Sequence, residues 1–286
     1  MEYKIHLEDP NDRTTKQLFG NMSSTSLEEC DFVIGSRLSW GGFQSGNTDP
    51  RVQQALDSYR SCPKPVILFY ITDHTEEYVI PKNVLLYRTS VYQTRLNSCE
   101  RIMPFLWNTV SFSYILEHKP GQMARVGFCG QTKALPARKQ LLDAYENCSL
   151  IKKEFIIRRT FWEFIAEEKT RIEFDQNLLE NHFNLCCRGA GNFAMRFYQT
   201  LAAGRIPVLI DTDYPLPYRD EIPWDSIIIM KPTAEEVVAE TVRWSQERDL
   251  EEVQRQCKAI FQEYFTIDNF LRRTLEDAFV HFSKPI

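Results

Sequence analysis

Between residues 182 and 211 the chain reads as a short apolar run, a glycine-containing loop, an apolar-periodic stretch closed by Gly204, and a second apolar run over 206–210. A strand, a crossover and a second strand need about thirty residues to lie parallel in one sheet, and this segment has that length. Parallel strands need cover on both faces of their sheet, which selects an α/β fold and excludes bundles and antiparallel sandwiches.

The same punctuation recurs along the chain. Strands are expected at 3–7, 32–36, 65–71 and 84–87, with a helix over 50–59 capped by Asp49. A second series opens at ARVGFCGQ, with a strand over 126–129, a helix over 136–147, strands at 154–157 and 182–187, a helix over 192–203, and strands at 206–210 and 227–230. Thr233 and Glu236 fit a capping box ahead of a further helix. Leu250, Val253, Cys257, Ile260, Phe261, Tyr264 and Phe265 then repeat at helical spacing, as a face packed inward does. At 286 residues the chain has room for about two domains, and a boundary near Gly121 divides it into 1–120 and 121–286.

With 34 Lys and Arg against 39 Asp and Glu, the net charge is −5, so no general basic field draws in nucleic acid or anionic lipid. Any anion site must be local. The eight cysteines are scattered, several within apolar runs, and read as buried thiols rather than a disulfide framework. No CxxC pair occurs and the five histidines lack metal-site spacing, so no metal is expected. The N-terminus carries no apolar leader and no stretch reaches the ~18 apolar residues of a membrane span, so a soluble, cytoplasmic protein is expected.

The chemistry concentrates where a strand ends in Arg188-Gly189-Ala190-Gly191 and a helix is expected to begin at Asn192. Glycines permit close approach of the backbone, the first amides of a helix lack internal partners, and the helix dipole adds about half a positive charge there. Arg188 and Arg196 would add two fixed charges to a loop that suits a diphosphate. A rival lies in the same letters: Gly189, Gly191 and Ala194 satisfy G-x-G-x-x-A, with Asp211 22 residues beyond Gly189, as in a dinucleotide site of an NAD-dependent oxidoreductase. The motif's position two-thirds of the way along the chain, and an arginine before its first glycine, favour a mononucleotide diphosphate. Asp211-Thr212-Asp213 spells D-x-D, a cation-binding pattern elsewhere, but reads first as a turn before Pro215 and Pro217.

The run CCRGAGNFAMRFYQTLAAGRIPVLIDTDYPLPYRDEIPWDSIII resembles the nucleotide-sugar-binding half of the exostosin-like glycosyltransferases of family 47, with weaker likeness in VGFCGQTKALPARKQLLDAY. The resemblance implies a GT-B-like fold, two Rossmann-like α/β domains facing a cleft. The C-terminal half would hold a UDP-sugar and the N-terminal half an oligosaccharide or glycoprotein glycan, with inversion of configuration and no metal or other cofactor. Donor contacts would come from Gly130, Lys133, Arg138, Arg158, Arg188, Gly189, Gly191, Asn192, Arg196 and Gln199. Three positions depart from the family: Cys187 stands for proline, Ala194 for serine, and Gln199 for an acidic residue that would bind the ribose, so a non-catalytic carbohydrate-binding relative is a third reading. Xylose is the slightly preferred sugar.

An inverting transfer needs one general base. In open α/β sheets ligands bind beyond the carboxyl ends of strands, which nominates Asp9, Asp12, Arg37, Trp40, Asp73, His74 and Arg88 in the first half. Asp73, after the run VILFYIT, is chosen as base, with a turn cap as its equal alternative. His74 would orient substrate, and Arg37 and Trp40 would meet the acceptor.

Overall fold

The computed structural model describes residues 3–38, 50–107, 114–119, 121–132, 136–159 and 168–283. Trp40, Lys133 and the expected cap Asp49 lie outside them. The first half forms β1 (Ile5–Leu7), α1 (Arg13–Phe19), β2 (Phe32–Gly35), α2 (Pro50–Ser58), β3 (Val66–Tyr70), β4 (Val84–Arg88) and β5 (Glu100–Ile102). These five strands make one parallel sheet in the order β1-β2-β3-β4-β5. Ser24 pairs with Ile5 on the free side of β1, so the chain first steps outward and then returns across β1 to β2. That reversal puts α1 and α2 on opposite faces. Ile67 and Phe69 pack on the α1 side, and Val66, Leu68 and Tyr70 pack with Val52 and Leu56 of α2. Burial on both faces is why β3 reads as an unbroken apolar run.

The second half forms β6 (Arg125–Gln131), α3 (Pro136–Glu146), β7 (Lys152–Arg158), α4 (Glu168–Leu179), β8 (Phe183–Leu185), α5 (Met195–Ala202), β9 (Ile206–Ile210), α6 (Trp224–Ile227), β10 (Ile229–Lys231), α7 (Ala234–Glu247), α8 (Leu250–Tyr264) and α9 (Ile267–Ser283). Its parallel sheet runs β10-β9-β8-β6-β7. The chain leaves β6 for β7 on one side and returns to β8 on the other, so the ends of β6 and β8 flank a crevice of the kind that holds ligands in open α/β sheets. The protein is therefore α/β with two parallel sheets, as expected. The Thr233–Glu236 capping box forms, and Gly204, at φ 60°, closes α5 in the left-handed region. All eight cysteines are free thiols.

The strand expected at 227–230 begins at Ile229, because Trp224–Ile227 coils into one helical turn. The last helix does not stay with the second sheet: Phe270 of α9 packs edge-on against Tyr87 and Phe69 of the first, with ring centroids 5.9 and 6.2 Å apart. Asp277 of α9 accepts from Tyr87 Oη at 2.8 Å and from Arg101 Nε at 2.8 Å. One apolar core consequently runs through both halves.

His182, just before β8, bonds the start of β6 and the segment that precedes it. Its Nδ1 accepts from the Arg125 amide at 3.0 Å and its Nε2 donates to the Glu117 carbonyl at 3.1 Å, a pairing only the neutral ring can make. Burial, reinforced by His118, Arg125 and Arg205, depresses its pKa to about 4. The unfolded chain takes up this proton near pH 6.5 and the folded one does not, so stability falls as pH drops from 6.5 toward 4. From pH 7 to pH 5 this group should cost about 2 kcal/mol. Urea unfolding at the two pH values should show that loss in the native protein, and the His182→Asn variant should show correspondingly less.

Candidate active site

The loop after β8 meets the tips of β3 and β4. The Gly191 amide donates to Asp73 Oδ1 at 3.2 Å and the Asn192 amide donates to Ser90 Oγ at 2.8 Å. These bonds hold 191–192 out of helical geometry, and Ala194 is extended at φ −133°, so α5 begins at Met195, three residues after the expected start. Two amides assigned by the sequence to a phosphate are thus used by the first half.

The two loop glycines differ. A Cβ on Gly191 would lie 2.7 Å from Asp73 Oδ1 and 2.8 Å from Asp73 Cα, while one on Gly189 would meet nothing within 4 Å. Gly191 is glycine because another backbone presses on it; Gly189 faces open space. Gly191→Ala should therefore push the two halves apart and lower Tm by several degrees, whereas Gly189→Ala should stay within about one degree, as differential scanning fluorimetry would show.

Three arginines converge on the crevice. Arg138 reaches from α3 to the carbonyls of Gln131, Cys187 and Arg188, tying the end of β6 to the end of β8. Arg196 is only 8% exposed. It turns inward, donating to the Cys129 carbonyl at 2.8 Å and Asn177 Oδ1 at 3.4 Å, with its guanidinium 4.3 Å from the Phe174 ring centroid. Burial works against the charge of both Arg138 and Arg196. Arg188 is more open, donating to Tyr92 Oη at 3.4 Å, Asn192 Oδ1 at 3.3 Å and the Ala190 carbonyl at 3.2 Å. Among the described residues no carboxylate pairs with any of the three. Partly desolvated positive charge without an ion-paired carboxylate is what an anion site provides. Arg158, by contrast, is bonded to Glu173 at 2.5 Å, so its charge is spent on that pair.

On the facing side, burial raises the Asp73 pKa above the ordinary aspartate value, and the Gly191 amide, His74 and Arg188 offset part of the rise. His74 is buried beside it, with Nδ1 3.5 Å from Glu76. Arg37 stands elsewhere, at the strand-order reversal of the first sheet, where it is paired with Glu8 at 2.8 Å. Gly130 lies at the end of β6 with Phe128 beneath it, and Gln199 is buried along α5. Asn192, expected as a donor contact, is 0% exposed and fully engaged within the protein. Asp211 Oδ1 accepts from the amides of Asp213 and Tyr214, and Asp213 Oδ2 accepts from Thr94. The D-x-D therefore forms a turn, with one Asp211 oxygen used inside it.

Ser90 and Tyr92 were missed by the sequence reading, although they follow the end of β4, the position rule that nominated Asp73. The Tyr92 phenol is held below its usual pKa first by the bond from Arg188.

No family model matches the chain. It is similar to an exostosin-1 homolog of Caenorhabditis elegans, 27% identical over 99 residues, which make up 34% of this chain and 26% of that protein. The match thus spans about a quarter of the relative's length. Among solved structures, the chain is similar to Anabaena HepE in complex with UDP, at 10% identity and TM-score 0.48, over 87% of this chain and 78% of that one. It is also similar to a glycosyltransferase from Rickettsia africae, at 10% identity and TM-score 0.46, over 99% of this chain and 98% of that one.

Proposed function

We propose that this protein is a glycosyltransferase that moves a sugar from a UDP-sugar to a hydroxyl of a glycan, with inversion and without a metal. The observation that carries the reading is the set of arginines, Arg138, Arg188 and Arg196, that have no carboxylate partner among the described residues, at the strand-order reversal of the second sheet, opposite the half-buried Asp73 of the first. The half from about residue 121 would hold the donor and the first half the acceptor.

In the reaction, Asp73 takes the proton from the acceptor hydroxyl as that oxygen bonds to the anomeric carbon. The bond from that carbon to the diphosphate oxygen breaks, and UDP leaves with the electron pair. Arg188 meets the charge that develops on the leaving oxygens, while Arg138 and Arg196, set deeper, contribute their field through a poorly solvated medium. Arg138 also holds the Arg188 carbonyl, which fixes where Arg188 starts. Xylose as the sugar and a glycoprotein or oligosaccharide as the acceptor rest on the family resemblance.

The test is thermal unfolding with UDP. At a ligand concentration a hundred times Kd, stabilisation is about 2.7 kcal/mol, so millimolar UDP should raise Tm by several degrees, with EDTA making no difference. The shift should vanish in Arg188→Ala. No shift in the native protein would end the donor reading. A shift without release of UDP from any of a panel of UDP-sugars, with glycan acceptors present, would mark a binding protein that performs no transfer.

A further inference from the structure

We infer that Asn192 is a positioning residue that sets the Asp73 carboxylate against the Arg188 guanidinium across the cleft, without touching the donor. The inference rests on the function proposed above.

The side chain and amide of Asn192 make five bonds, and they divide between the two halves. Toward the first half, the amide donates to Ser90 Oγ at 2.8 Å and Nδ2 donates to the Val91 carbonyl at 3.0 Å. Toward the second, Nδ2 donates to the Asp213 carbonyl at 3.0 Å, and Oδ1 accepts from Thr212 Oγ1 at 2.7 Å and Arg188 Nη1 at 3.3 Å. Ser90 Oγ in turn donates to the Asp73 carbonyl at 3.1 Å. A continuous chain of bonds therefore runs from Asp73 through Ser90 and Asn192 to Arg188. Ser90 and Asn192 are both 0% exposed, so neither can exchange a partner for water.

Only an amide side chain of this length supplies two donors and a double acceptor at one point. Aspartate would set an anion against two carbonyl oxygens, and serine would be too short. Because the amide, Nδ2 and Oδ1 of Asn192 are all bonded in one arrangement and the residue is closed to water, its side chain has a single low-energy register. Displacements of an ångström at reacting groups lower rates by about a hundredfold, so register is what such a site needs. Asp213 takes part through strain: it sits in the left-handed region at φ 59° and turns its carbonyl toward both Asn192 and the Gln93 amide.

The experiment compares Asn192→Ala and Ser90→Ala with the native full-length protein. The Asp73 titration is followed by carbon-13 NMR, its resonance assigned with Asp73→Asn, and UDP affinity by calorimetry. Loosening the network should let the Gly191 amide and Arg188 drift from Asp73 while His74 remains beside it. The Asp73 midpoint should then move upward, and UDP should bind about tenfold more weakly. Ser90→Ala adds no charge and removes one hydroxyl, so it carries the test if Asn192→Ala does not fold. A lower Tm with the Asp73 midpoint and UDP affinity both at native values would make Asn192 a structural tie and overturn the inference, leaving the donor reading intact. Failure of UDP to bind the native protein would overturn both.

Discussion

Replacing Asp73 with asparagine should move three quantities together: sugar transfer falls by about 10²- to 10⁴-fold, UDP binds more tightly, and Tm rises. The first follows from removing the carboxylate proposed as the proton acceptor. The second follows from position, because the Asp73 carboxylate bonds to Gly191, on the loop where a diphosphate would approach. Two anions there repel, and neutralising one should tighten UDP by roughly tenfold after screening. The third is a question of sign. The Asp73 pKa is raised in the folded state, mainly by burial, so the folded protein holds its proton to higher pH than the unfolded chain does, and carrying the charge at neutral pH costs stability. Asparagine removes that cost and keeps an oxygen for the Gly191 amide. A residue whose task is only to cap the loop would respond differently, with Tm flat or falling and transfer unchanged, and that result would return Asp73 to the turn-cap role. In the native protein, the proposed transfer should rise with pH through a midpoint above the ordinary aspartate range, and the rise should disappear in Asp73→Asn. Release of UDP from UDP-sugars, calorimetry with UDP, and thermal unfolding measure the three quantities.

What the amino-acid order made legible is what is local. The β8–loop–α5–β9 unit, the stop at Gly204 and the Thr233–Glu236 box are set by residues within thirty positions of one another, and their periodicity and capping chemistry announce them. Less legible was everything decided by the opposing half. The late start of α5 follows from the Gly191 and Asn192 amides, which bond Asp73 and Ser90, more than a hundred positions upstream. Arg196 falls at the spacing of a phosphate ligand, yet it turns toward Cys129 and Phe174 because α4 brings an aromatic ring and an amide beneath it, and α4 has no strong stripe to betray its register. Asn192 looks like a donor contact in sequence, whereas in space its bonds reach residues of both halves. The return of α9 to the first sheet follows from Phe270 and Asp277, whose partners Tyr87 and Arg101 no pattern near the C-terminus reveals.

The largest loss of stability should come from Arg88→Met. Arg88 ends β4, the strand that carries Ser90 and Tyr92 to the cleft, and its guanidinium meets Glu100 of β5 at 2.9 Å with both side chains withdrawn from water, 0% and 1% exposed. Burial pulls the Arg88 pKa down and pushes that of Glu100 up, so each charge survives because of the other. Removing the arginine leaves a buried carboxylate whose nearest help is the Asn97 amide, at a cost of about 3–5 kcal/mol. The damage should be smaller at acid pH. Glu100 without its partner titrates at a still higher pKa, so the variant is least penalised where that carboxyl is protonated and loses stability as pH rises through its midpoint. The double variant Arg88→Met with Glu100→Leu removes both charges and should recover most of the loss, since two apolar groups of similar volume can replace a buried pair at little cost. Urea unfolding of the two single variants and the double variant gives the coupling directly. If Arg88→Met alone costs under about 1 kcal/mol, the pair is effectively solvated and the tip of β4 owes its rigidity to Thr89, whose hydroxyl bonds the Thr72 carbonyl at 2.7 Å.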